Sequence, residues 1–167
     1  MRHAALIIAA LAAASIGALP RAALAETVHV QLTSYEEVPA LSTAASGAFR
    51  ALIDDAAGTI RYTLSYSGLE SDVKMAHIHF GQLSVNGGIS VWLCQTAEFV
   101  DPTGLAPTCV QSGTVTGLLT QANMVGPAGQ GIPPAQFAEV VAAIRAGIAY
   151  VNVHSATFLG GEIRGQL

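Results

Sequence analysis

Charge is scarce in this chain. Only 11% of its 167 residues are Asp, Glu, Lys or Arg, against about 25% in an ordinary soluble domain. Bases are the scarcer sign, seven against eleven acids, and no two of the seven stand side by side. Phosphate backbones and anionic lipid are held by clusters of Lys and Arg, so nucleic acid and polybasic membrane docking are excluded as partners. A stretch able to span a bilayer is missing as well. The uncharged run from Ala4 to Leu19 is 16 residues long and rich in Ala, whereas a span takes about 20 strongly apolar residues. Cysteine is limited to two residues and tryptophan to one. What the chain does have is apolar content, 51%, which excludes disorder and at this length predicts one compact domain.

The first residues read as a leader. Met1, Arg2 and His3 form a positive head, the apolar run follows, and after Pro20 and Arg21 comes Ala23-Leu24-Ala25, the small-x-small pattern that signal peptidase cuts after. Cleavage before Glu26 is expected, leaving residues 26–167 as the mature chain. Arg2 and Arg21 leave with residues 1–25, so five bases then face eleven acids and the net charge is −6. No Cys lies near the cut, which argues against a lipoprotein, and the last residues read as a strand rather than a transmembrane anchor. The expected location is periplasmic or extracellular. Thiols there meet an oxidising environment, so Cys94 and Cys109, the available pair, are expected to form a disulfide across a Pro- and Gly-containing loop. Two unpaired buried thiols are the alternative.

Apolar residues mostly alternate along the mature chain: Val28, Val30, Leu32; Phe49, Ala51, Ile53; Ile60, Tyr62, Leu64, Tyr66. Further strands are expected over 73–80, 88–94, 113–119, 148–154 and 161–167. Asp54-Asp55-Ala56-Ala57-Gly58 reads as a hairpin turn. About eight short strands predict an all-β sandwich or barrel. One segment, 134–146, has helical spacing at Phe137, Val140, Val141 and Ile144, with Pro134 suited to its first turn and Gly147 to its end. A weak repeat of small and apolar residues begins at Gly47, Gly113 and Gly161. Its small positions leave room for a bulky neighbour, Trp92 being a candidate.

Three stretches taken together carry a resemblance: Met75-Ala76-His77-Ile78-His79-Phe80-Gly81; Gly113-Thr114-Val115-Thr116-Gly117; and Tyr150-Val151-Asn152-Val153-His154-Ser155 followed by Gly160-Gly161-Glu162-Ile163-Arg164-Gly165-Gln166-Leu167. They resemble the CHRD domain, first recognised in chordin, over nearly the whole mature chain. In animals the family's repeats sit in a secreted antagonist of bone morphogenetic proteins; bacterial members are mostly short exported single-domain chains. The resemblance implies an antiparallel, Greek-key-like β-sandwich, immunoglobulin-like or copper/zinc superoxide-dismutase-like. It also implies a non-enzymatic binding or structural module of the cell envelope, with an unknown protein or envelope ligand. A growth-factor ligand does not follow, because a family does not fix a partner.

His77 and His79 are i and i+2 on a strand, so both imidazoles leave one face about 6 to 7 Å apart. If His154 lies on a neighbouring strand, three imidazoles converge, a donor set suited to Cu(II) or Zn(II). Glu162 and Asn152 are candidates to orient them, although Glu162 could equally pair with Arg164 or Arg61. The plain alternative is that these histidines hydrogen-bond inside the sandwich and bind nothing. His29, alternating with Val28 and Val30, belongs to the opposite face. Four mature histidines at these positions do not assemble a dismutase ligand set, and Ser155 beside His154 lacks a nucleophile-elbow pattern, so no enzyme is expected. Glu36-Glu37 and Asp54-Asp55 read as solvated turn acids, and Gly126, Gly129 and Gly131 lack the setting of a phosphate loop. Trp92 and Tyr150 alternate with core residues and are expected in the sandwich core rather than on a sugar-stacking platform.

Overall fold

In a computed structural model, which describes residues 25–167, the chain forms eight strands and one α-helix. The expected leader falls almost wholly outside the described residues. The strands are β1 (Glu26–Thr33), β2 (Ser46–Asp54), β3 (Thr59–Ser67), β4 (Val73–Phe80), β5 (Gly88–Cys94), β6 (Gly113–Leu119), β7 (Ala149–Ser155) and β8 (Ile163–Gln166). They make one antiparallel sheet in the order β5-β4-β7-β8-β1-β2-β3-β6. The sheet curls so that its two halves face each other as a sandwich closed almost into a barrel, and the end strands β5 and β6 come into contact. Near that seam, bridges Val91 to Met124 and Gln95 to Thr108 tie the chain together, as does a disulfide between Cys94 and Cys109 with Cα atoms 4.9 Å apart.

Strand alternation sets the core. Phe49, Ala51 and Ile53 on β2 and Ile60, Tyr62 and Leu64 on β3 point inward to meet Ala76, Ile78, Val91, Leu93, Val151 and Val153 from the other half. Burying a side chain of this size stabilises by about 1.5 to 3 kcal/mol. At the β2–β3 turn Gly58 takes φ +62°, and the Asp54 carboxylate accepts from the Ala57 N–H at 3.0 Å.

The helix α1 (Phe137–Arg145) buries Val140, Val141, Ala143 and Ile144. It starts three residues later than Pro134 suggests, because Ala135 takes φ +65° and turns the chain away before the first helical turn. Its end matches expectation, with Gly147 at φ +69°. The repeat glycines do not accommodate Trp92. Gly117 lies opposite Tyr62 in the β3–β6 ladder, and the Tyr62 ring lies where a Cβ on Gly117 would stand.

Every residue of β7 is buried, on both faces of the sheet. Val151 and Val153 face the apolar core; Tyr150, Asn152 and His154 face the other way, under a lid of loops. That second, polar layer holds the candidate site.

Candidate functional site

Strand register brings the predicted residues together. In the β4–β7 ladder His154 is opposite Met75, Asn152 opposite His77 and Tyr150 opposite His79. On the flanks, Trp92 of β5 is opposite His77 and Arg164 of β8 is opposite Asn152. His77, His79 and His154 are 0%, 7% and 4% exposed, and one ring nitrogen from each lies within 4.8 Å of the others. A point no more than roughly 2.8 Å from all three therefore exists, and inward movement of at most about 0.8 Å would bring them to the 2.0 to 2.1 Å of a metal–imidazole bond.

The protons can be placed from the acceptors. His154 Nδ1 is 2.9 Å from the Leu159 carbonyl and His79 Nδ1 is 2.9 Å from the Gly87 carbonyl. A carbonyl only accepts, so both Nδ1 atoms carry hydrogen and both Nε2 atoms of the neutral rings hold electron pairs. His77 Nδ1 lies 3.0 Å from His154 Nε2 and so donates to it, which leaves His77 Nε2 as an electron pair too. His77 Nε2 and His79 Nε2 are buried without a partner. Burial, which penalises the cation, holds all three rings neutral: His79 and His154 fall to about 4 and His77 falls further, helped by the neighbouring imidazoles.

Arg164, 1% exposed, stacks its guanidinium 3.4 Å above the Tyr150 ring, which in turn stacks on His79 with centroids 4.8 Å apart. The guanidinium donates to Asn86 Oδ1 and to the carbonyls of Gln82 and Val85, pinning the loop that supplies Gly87. The Trp92 ring meets His77 edge-on at 4.2 Å. Trp92 and Tyr150 are thus buried as expected, yet on the opposite face from the apolar core. The Asn152 amide stands between His79 and Glu37 and influences the protonation of both, although its Oδ1 makes no hydrogen bond.

Glu162 makes no hydrogen bond to the three imidazoles. It is wholly buried, one oxygen accepts from the Glu70 N–H at 2.9 Å, the other has no partner, and it forms no ion pair with Arg164 or Arg61. Glu37 is not a solvated turn acid. It is 6% exposed beneath Gly161, and burial pushes its carboxyl up to about 7 although the Arg164 charge pulls it back. Glu36 does remain exposed, as does Asp55. His29 stands on the exposed face of β1, away from the cluster. Glu37 and Arg164 are the participants sequence reasoning missed. A signal for Arg164 was present, because it alternates with Ile163 in the way Asn152 and His154 alternate with Val151 and Val153.

A cleft of about 290 Å³ opens beside the cluster, between Glu37, Val38 and Pro39 on one side and Phe158, Leu159 and Gly161 on the other. No helix among the described residues is long and apolar enough to cross a membrane. No curated protein and no solved structure gives a match to the chain. The profile of the CHRD domain does, over residues 28–167, which takes in all of β2 to β8, the helix and every residue of the buried polar layer. The chain therefore belongs to the CHRD family.

Proposed function

We propose that this protein is an exported, non-enzymatic binding and structural module of the cell envelope, released from a leader spanning residues 1–25. The observation that carries the binding role is the buried triad, in which His79 and His154 are anchored on backbone carbonyls while the Nε2 electron pairs of His77 and His79 have no partner. Membership of the CHRD family supports a module of this kind. The Cys94–Cys109 disulfide is in keeping with an oxidising compartment. Mass spectrometry of the protein isolated from its cell tests export: a chain beginning at Glu26 with no free thiol is expected, and retention of residues 1–25 overturns it.

The orphaned nitrogens of His77 and His79 favour a second reading, a periplasmic copper- or zinc-binding protein using His77, His79 and His154. The His77–His154 hydrogen bond favours the plainer role, since it holds two of the rings together with no ion between them. Calorimetric titration of Cu(II) and Zn(II) into the untagged chain separates the two. Submicromolar binding that a His77→Ala/His79→Ala variant loses establishes the metal site. Absence of heat from both proteins leaves the triad as architecture and directs the search to a protein partner.

A further inference from the structure

We propose that the ion this site takes is a monovalent d10 metal, Cu(I), held by His77, His79 and His154 with the Met75 thioether at its edge. The inference rests on the metal reading above and narrows it to one oxidation state.

Three observations point the same way. The first is charge. The three ring nitrogens that converge are neutral donors with no carboxylate among them, so a bound ion keeps its full charge in a space that is almost closed to water. The cost of burying a cation rises with the square of its charge, so a divalent ion meets about four times the penalty of a monovalent one.

The second is coordination number. Zn(II) completes a tetrahedron with a fourth ligand, and Cu(II) takes tetragonal sites. Three imidazoles under a loop lid offer a trigonal set, which satisfies Cu(I). Two of the rings, His79 and His154, are already anchored at their far nitrogens by Gly87 and Leu159, the outer support that metal-binding imidazoles need. His77 binds through either nitrogen, by moving its proton from Nδ1 to Nε2 or by using the Nε2 pair directly.

The third is softness. Met75 stands directly across from His154 in the β4–β7 ladder and two residues before His77, on the same face of β4. Cross-strand neighbours have Cβ atoms about 4.5 to 5.5 Å apart, within reach of a flexible thioether. Thioether sulfur selects Cu(I) over harder divalent ions. The cleft beside Glu37 and Leu159 supplies an approach.

The test presents Cu(I) to the untagged chain as its coloured bicinchoninate complex under ascorbate, with Zn(II) and Cu(II) measured by competition against chelators of known affinity. One equivalent of Cu(I) is expected to leave the chelator, with Zn(II) and Cu(II) held at least about a hundredfold more weakly. Met75→Leu, with an unchanged melting temperature in the apo form, is expected to weaken Cu(I) about tenfold. His79→Gln is expected to abolish binding. Zn(II) or Cu(II) bound as tightly as Cu(I) overturns this inference while leaving the metal reading intact; failure of all three ions to bind overturns both. An unaltered Cu(I) affinity in Met75→Leu removes the thioether from the site.

Discussion

At Gly161 the backbone takes φ +125°, and a Cβ there would stand 2.5 Å from Glu37 Oε1 and 2.6 Å from Asn152 Nδ2. Gly161→Ala therefore forces the lid off the polar layer, and a loss of about 1 to 3 kcal/mol is expected in urea unfolding. Tyr62 makes a separate test on the apolar side. Its hydroxyl donates to the Leu93 carbonyl at 2.5 Å inside the core, so Tyr62→Phe leaves a buried carbonyl unpaired and is expected to cost about 1 to 3 kcal/mol. Residue by residue, the histidines were legible because period two puts His77 and His79 on one face whatever surrounds them. Glu37 was not. Its burial depends on the Ser34–Leu41 segment folding over β7 and β8, and no local pattern encodes that long-range packing. For Trp92 and Tyr150, alternation revealed burial but not which face, because β7 is covered on both.

Among elements, strands were the easiest to read. Each expected strand matches an observed one, because half-buried strands show their alternation openly and Gly or Asp marks the turns between them. The start of α1 was harder, since Pro134 suits a first turn but Ala135 at φ +65° delays it. The segment 95–108 is held at both ends by the disulfide and in its middle by Asp101, whose carboxylate accepts from the N–H groups of Thr103, Leu105 and Ala106. Closing a loop of this length contributes about 3 kcal/mol in the chain-entropy account. A Cys94→Ala/Cys109→Ala variant should unfold at correspondingly lower denaturant, and an unchanged midpoint would show the loop to be ordered without its covalent link.

For the molecule as a whole, the polar layer predicts sensitivity to acid. An unfolded histidine takes its proton near 6.5, whereas folded His79 and His154 do so only near 4 and His77 lower still. Between those limits the unfolded chain binds more protons, so stability falls as pH drops from about 6.5 to 4. Glu37 acts in the opposite sense: its carboxyl ionises near 4.5 unfolded and near 7 folded, so its contribution is lost as pH rises through that range. Arg164 stays charged, and three histidines outweigh one glutamate. The urea midpoint should therefore decline from pH 7 to pH 4, more steeply in Glu37→Gln, and a flat profile would contradict the neutral assignment of the rings. The seam between β5 and β6 has its own consequence. These are the two strands with an unpaired side in an otherwise continuous sheet, and a covalent clasp lies across the gap they leave. A chain whose thiols have not yet joined closes that seam through two isolated bridges, single hydrogen bonds such as Tyr62 to Leu93 and Tyr66 to Val110, and core packing alone, and opened edges are templates for another copy. Oxidation thus acts as the last stitch, and the reduced chain is expected to associate through the edges it leaves less firmly closed. Light scattering should rise with time in dithiothreitol and stay level without it.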